Sequence, residues 1–484
     1  IPGRGTRVAP FQQAAPSAVE QGLPVSHNAD TTGARQTYVY SKGMVSTPPP
    51  GPPLPALLQA ALIWLDPVGY VQFCHRRYGR LFTTRIPGIG TLVFVTDPDD
   101  IRSVMRGDPA IFHAGEAAAP LSQVVGPKSI IMLDDDSHRR SRAMMLPAFH
   151  GDSVRRQVAE MVAITVDEVA RWPVGEQFPL FPRMQKLTLK VILRTVIGVH
   201  DERRLAALRA ALPPMLDIGT PLELIPPPRV LLRFGMWRRR IEHRAAALAL
   251  LTDEITRCRA DPQLGQRTDA LAMLVRGVDG EGAPMADDEL LDQLVTLLLA
   301  GHDTTATALS WAFERLTRHP ALLHRTAQAA TDGDDAWLDA VCKESLRVRP
   351  VVFEFGRKLI APVQLAGHRI PAGHILAPSI NLVHHSSRHY PDPDEFRPQR
   401  FLDQRPDPAV WLPFGGGIRR CLGATFAQVE MRTVLREVLR RVELVPTTAP
   451  DEPVRPRHVT MVPRHGAMVT VRRRRTVADR IATG

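Results

Sequence analysis

Cys421 stands in the run Pro413-Phe414-Gly415-Gly416-Gly417-Ile418-Arg419-Arg420-Cys421-Leu422-Gly423, directly before a helical pattern from Ala424 to Leu439. Three consecutive glycines let the backbone take conformations closed to other residues and approach a ligand closely. A helix N-terminus and the adjacent Arg419 and Arg420 both lower a thiol pKa, so this sulfur is placed to be a thiolate. Such a thiolate suits a nucleophile, a redox sensor or a ligand to a soft metal. A nucleophile needs a partner base, which spacing alone does not place. The loop is not a phosphate cradle, because it lacks the Gly-Lys-Ser/Thr ending of a P-loop. A second cluster, Ala300-Gly301-His302-Asp303-Thr304-Thr305, follows an apolar run. Glycine costs about 1 kcal/mol inside a helix, and a buried Asp costs more unless paired. Either something large packs closely against the chain here, or a core helix is locally kinked around a back-bonded Thr.

These residues need elements to hold them. From Asp287 to Arg318 there are 32 residues without proline, which predicts a helix of about 48 Å at the usual rise per residue. Asp287, Asp288 and Glu289 fill its first turn, where the helix dipole favours negative charge, and Pro320 follows its end. Leu294 to Ala300 is apolar apart from Thr296, so the helix runs through the interior. Strand-like runs come early (Leu81 to Arg85, Thr91 to Val95), and long helical stretches then dominate to about residue 350. Strand and turn signals return between Val352 and Ile380, before the last helix after Gly423. The fold class is therefore α+β, predominantly helical, rather than alternating βαβ units. The stretch Pro213 to Pro228 reads as a loop between helices or as a lid over a pocket.

The chain has 484 residues, 44% hydrophobic and 23% charged, which is ordinary globular composition. No apolar run reaches the ~18 residues that span a bilayer. Leu54 to Leu65 carries Pro55 and Gln59 and reads as a packed first helix in preference to a membrane-surface one. The net charge is +11, of which residues 1–43 carry +2 and residues 472–484 carry +4, leaving +5 for the body. No basic face interleaved with aromatics follows from the sequence, so nucleic-acid binding is not expected. Cys74, Cys258, Cys342 and Cys421 lie far apart, without zinc spacing. So few cysteines in so long a chain fit free thiols in a reducing cytoplasm, the first three as buried small residues. Residues 1–43 lack periodicity and the apolar stretch of a secretory signal, and are expected to be a disordered extension with Met44 as the natural start. Residues 44–471 read as a single domain and 472–484 as a basic tail.

The cysteine loop resembles the haem-binding signature of the cytochromes P450, Phe-Gly-x-Gly-x-Arg-x-Cys-x-Gly. Phe414, Gly415, Gly417, Arg419, Cys421 and Gly423 fill every specified position. The resemblance demands further motifs upstream, and they are present. Glu344-Ser345-Leu346-Arg347 matches ExxR, and Pro398-Gln399-Arg400-Phe401 matches PxRF. ExxR alone would be weak, since acid–base pairs at i,i+3 are common on helices. Ala300 to Thr304 matches (A/G)Gx(D/E)T on the long helix, and His138 to Arg142 matches HxxxR. The matching region runs from about Pro48 to Val471, and His138 in place of the usual Trp points to the bacterial branch that lacks a membrane anchor.

The resemblance implies a P450 fold with a long central helix over the haem and small β-sheets. It implies haem b (iron protoporphyrin IX) with Cys421 as the one protein ligand to iron. His138, Arg142, Arg357 and Arg419 would hold the propionates, and Ala300, Gly301, Pro413, Phe414, Gly415 and Gly423 would line the haem. Glu344, Arg347 and Arg400 would form a buried triad bracing the loop. Asp303 and Thr304 would relay protons for oxygen activation. The expected reaction inserts one atom of dioxygen into a lipophilic small molecule, with electrons from a separate ferredoxin and ferredoxin reductase, by a cytoplasmic monomer. An acidic ferredoxin could dock on Arg139, Arg140, Arg420 and Arg432, although a solvated basic surface explains them equally. The alternative is a haem-binding sensor or carrier without turnover. Pocket residues would come from Ala114 to Val125, Pro213 to Leu232, Leu298 to Thr304, Val351 to Phe355 and around Met461. Among them Glu354 is the odd acid, either satisfied by nearby donors or recognising a polar substrate group.

Overall fold

Helix α1 (Ala56–Leu65) turns its one amide inward. The Gln59 side chain donates to the Leu54 carbonyl at 2.7 Å and accepts from the Arg85 backbone N–H at 3.0 Å. Leu62 and Ile63 pack beside it, so the helix is anchored as the sequence suggested. Its outer face is nonetheless apolar: Leu57 is 76% exposed and Leu65 83%, with Leu58 and Trp64 between them. The computed structural model describes residues 48–216, 235–402, 406–457 and 459–474. The readings made on residues 1–43, on 217–232 and on 475–484 lie outside the described residues. Val45–Gly484 forms one compact unit. Among the described residues no helix is long and apolar enough to cross a membrane.

Strands β1 (Leu81–Ile86) and β2 (Gly90–Val95) form an antiparallel hairpin, each one residue longer than its apolar run suggests. The sheet is completed by β3 (Phe112–His113), β4 (Arg357–Leu359) and β5 (Ile375–Pro378), in the order β1-β2-β5-β4-β3. Only the β2–β5 pairing is parallel. Leu81, Val93, Val95, Leu359 and Leu376 form a small core under this sheet, and Leu412 joins it.

The larger core is helical. It holds α2 (Asp135–Met145), α3 (Phe181–Thr195), α4 (Asp287–Arg318), α5 (Asp335–Val348) and α6 (Ala424–Arg441). Helix α4 has the bounds its composition predicts, three acids in its first turn and Pro320 opening the next helix. Leu187, Ile192, Leu298, Phe313 and Val434 are buried together around it, and Phe414 packs against the same cluster. The cysteine loop thus starts where the two cores meet, with Leu412 in one and Phe414 in the other. One expected boundary moves. The helix Glu202–Leu216 continues through Pro213 and Pro214 instead of ending before them. Burial of Leu212, Met215 and Leu216 keeps that last turn in place.

Candidate active site

The loop before α6 owes its shape to glycine and to one methionine. Gly415 and Gly417 have φ of 61° and 64°, in the left-handed region. A Cβ on Gly416 would lie 2.0 Å from the Met105 sulfur, and one on Gly417 would lie 2.2 Å from the Met105 carbonyl oxygen. At Gly417 the positive φ and the Met105 backbone admit only glycine, whereas Gly416 meets the movable end of the Met105 side chain. The Cys421 N–H donates back to the Phe414 carbonyl at 2.9 Å, closing the loop. Phe414 stacks edge-on with Trp411 at 6.0 Å.

Behind the loop, Glu344 and Arg347 form a bidentate pair at 2.7 and 2.8 Å, both with no exposed surface. Arg347 also donates to the carbonyls of His384, Pro393 and Glu395 at 2.7–2.9 Å, which occupies all five of its N–H donors. Arg400 approaches Glu344 at 3.4 Å and donates to the Asp392 carbonyl. The three triad residues are therefore together. His384, which carried no sequence signal, links them to the loop. Burial holds its ring neutral, with Nε2 accepting the Leu412 N–H at 2.9 Å.

Cys421 is accessible although the chain surrounds it, so it faces an internal recess. The expectation that a helix end and two arginines make it a thiolate is not met by the polypeptide alone. Burial pushes its thiol pKa up, against the Gly423 N–H, Arg420 and Arg142, which pull it down. Around it lie cations that lack carboxylates. The Arg142 side chain has no hydrogen bond or ion pair among the described residues, and burial lowers its pKa. Among the described residues the Arg357 guanidinium donates only to the Gly356 carbonyl; it stacks on Phe355 at 5.2 Å and is brought down to about 10 by burial and Arg419. His138 is held at about 4 by burial, Arg419 and Arg142, so it is neutral rather than a cation. Arg419 differs from the rest: it pairs with Asp134 and donates to the Leu133 and Ile130 carbonyls. Asp134 in turn caps the short helix at Ala114 and Gly115.

On α4, Ala300 is exposed and Leu299, Gly301 and Thr304 are half-buried, between the buried Leu298 and Thr305. The Thr304 hydroxyl donates to the Ala300 carbonyl. Its neighbours turn elsewhere. A Cβ on Gly301 would meet Ile192 at 2.7 Å, so this glycine permits close packing of α3 on α4 and not only the approach of a ligand. His302 meets Thr188 at 3.2 Å. Asp303 accepts from Gln185 at 2.8 Å and from Arg457 at 3.1 Å, while its other oxygen has no partner among the described residues. Sequence reasoning missed Gln185 and Arg457, which lie 118 and 154 residues away in the chain and match no motif. Asp303 lines a cavity of about 730 Å³ with Leu299, His302, Arg457 and Pro213. Phe353 and Met461 instead line a separate cavity of about 190 Å³ beside Trp311.

The expected basic face is largely neutralised. Arg140 pairs with Asp279 and Glu289 at 2.6 and 3.1 Å, Arg432 with Asp339 at 3.2 Å, and Arg139 with Asp136. Arg420 remains exposed without an ion pair among the described residues.

The cytochrome P450 family model matches residues 48–471. Cytochrome P450 135B1 of Mycobacterium tuberculosis is 50% identical over 439 residues, covering 89% of this chain and 92% of that protein. Cytochrome P450 135A1 of the same species is 38% identical over 422 residues, covering 87% and 94%. Among solved structures, retinoic acid-bound cyanobacterial CYP120A1 superposes with a TM-score of 0.78 at 24% identity, over 89% of this chain and all of that one. The cytochrome P450DA haem domain gives 0.75 at 23%. The chain belongs to the cytochrome P450 family and is a monooxygenase, an oxidoreductase whose family uses haem.

The residues present fit that group. Among the described residues no three His, Cys, Asp or Glu side chains converge on a metal position. A lone thiol cannot hold a bare ion, but it can hold one that arrives inside a macrocycle with its own four nitrogens. The unneutralised Arg142 and Arg357 await an anion, as two propionates supply.

Proposed function

We propose that the chain inserts one atom of dioxygen into a hydrophobic small molecule, using electrons from a separate ferredoxin and its reductase. The observation that carries this reading is the recess, where an accessible Cys421 sits with the half-buried Arg142, which has no acid among the described residues. Cys421 would ligate the iron, and Arg142, Arg357 and the neutral His138 would hold the propionates. Arg419, tied to Asp134, would fix the loop's orientation and offer its remaining donor capacity. Pro413, Phe414, Gly415 and Gly423 would shape the wall, and Ala300 the opposite approach. Bound haem supplies the oxidising chemistry, with a thiolate ligand favouring O–O cleavage.

The chain's own part is binding, orientation and protons. Thr304 Oγ1, now donating to the Ala300 carbonyl, would turn to donate into the recess. The Asp303 carboxylate would pass protons from water in the 730 Å³ cavity, held at its position by Gln185 and Arg457. Asp303→Asn should lower product formation about 10²-fold, the ordinary contribution of a positioned acid–base group, while leaving substrate-induced spectral shifts intact. A parallel loss of those shifts would show that Asp303 serves binding instead.

Reconstitution with a ferredoxin, its reductase and a panel of lipophiles tests the reading: oxygenated product supports it, and spectral shifts without turnover favour the sensor alternative. With Arg140 and Arg432 engaged by acids, docking would rest on Arg420. Arg420→Glu should slow first-electron transfer several-fold at low salt and lose that difference at high salt. Equal rates at both salts would remove Arg420 from the interface.

A further inference from the structure

Glu354 is a carboxylate with nothing to bind. It has no hydrogen bond from its side chain and no ion pair among the described residues. The segment is extended, with Glu354 bridged to Ser379 and the Phe353 carbonyl accepting from Ile380. Side chains therefore alternate. Phe355 packs into the core under the sheet, whereas Val352, two before Glu354, packs against the helical core that contains Phe414 and Leu299. A Cβ on Gly356, two after Glu354, would meet Ala117 at 2.9 Å. Glu354 thus points into the gap between the helical core and the Ala114–Ala117 helix, on the side where the recess lies. It is half-buried while Phe353 and Ser379 beside it are buried, as a side chain facing an internal space would be.

We propose that Glu354 is the polar recognition group of the substrate pocket and selects lipophilic molecules that carry a cationic nitrogen. The proposal rests on the monooxygenase reading of the same recess. A half-buried carboxylate beside Val352 is costly unless a cation joins it, and the described residues provide none. Arg357 has Arg419 and Asp134, not Glu354, as its charged neighbours. Lys358 pairs with Glu116 on the Ala114–Ala117 helix. On α4, Asp303 pairs with Arg457, and His302 is turned to Thr188. Beyond Ser379, Asn381 and the neutral His384 bring no charge. An alkyl chain with an ammonium head matches a lone acid set beside apolar side chains.

Burial raises the Glu354 pKa to about 8, so the group is mostly protonated at neutral pH. A permanent cation binds the ionised form, and its affinity should rise with pH up to that value. Between pH 6.5 and 8.5 the gain should be about 25-fold for a group titrating near 8.

The test uses decyltrimethylammonium, which cannot ligate iron, against its neutral isostere with a tert-butyl head, read by Soret shifts of the haem-loaded protein. Wild type should prefer the cation, with affinity rising with pH, while the neutral isostere shows no pH dependence. Glu354→Gln, which keeps the shape, should lose at least about 10-fold in cation affinity, the equivalent of one lost charge contact, and keep the neutral ligand. Thermal unfolding of Glu354→Gln and Glu354→Leu establishes that both fold, as removal of an unpaired buried acid should allow. Equal cation affinity in wild type and Glu354→Gln, with the neutral ligand still shifting the band, overturns the proposal alone. A band that neither ligand moves at any pH overturns the pocket reading and the proposal with it.

Discussion

Cys421→Ser yields a folded protein whose reduced carbon monoxide complex lacks the strongly red-shifted Soret band of thiolate ligation, and oxygenation turnover falls to background. The reason is proton affinity. A thiol gives up its proton to a metal readily, and a serine hydroxyl does not. The surrounding chain adds to the contrast, because burial already raises the Cys421 pKa and only bound iron would make the thiolate the favoured form. Removing the sulfur changes no contact that holds the loop, since its closure is the backbone bond from the Cys421 N–H to Phe414. Wild-type protein with a haem band but no thiolate signature would place the iron on another ligand. Well-folded protein that takes up no haem would overturn the assignment of the recess.

Arg347→Ala is the variant expected to cost most in stability, about 3–5 kcal/mol from stranding the Glu344 charge in the interior. That is a large part of the 5–15 kcal/mol that holds a typical domain folded. The five N–H donors of Arg347 bind one carboxylate and three separate carbonyls, so Arg347→Lys should be nearly as damaging. Urea unfolding of the haem-free protein measures the loss without the contribution of the cofactor. The same chemistry on the surface serves as a control. Arg238 and Glu242 pair at 2.7 Å with both side chains more than half exposed, and Arg238→Ala should leave the urea midpoint unchanged. A small effect at Arg347 would mean that Arg400 and the backbone around Asp392 carry the brace instead.

Much of the fold was legible because local rules agreed with one another. Helix α4 was readable to the residue, since 32 positions without proline, an acidic first turn and a following Pro320 all mark the same element. The strands flanking residues 86–90 were readable from short β-branched and aromatic runs. The proline pair misled, because Pro213 and Pro214 break helices locally while the burial of Leu212 and Leu216 sustains this one. At the site, the six specified positions of the cysteine loop and the ExxR pair stand in the sequence as fixed spacings. Their supports do not. The Met105 backbone compels the glycine at 417, and His384 ties Arg347 to the loop, each from a distant segment.

By itself the sequence determined the family, the long helix, the thiol's place before α6 and the residue types available for each role. Only the tertiary structure decided charge and partnership. It paired Arg140 and Arg432 with acids, gave Asp303 to Gln185 and Arg457, set Gly301 against Ile192, and left Arg142 and Glu354 without an ion pair among the described residues. The physical reason is that desolvation and ion pairing depend on which atoms lie within a few ångströms. Spacing along a chain fixes that for neighbours within a helical turn, and not for residues more than a hundred positions apart.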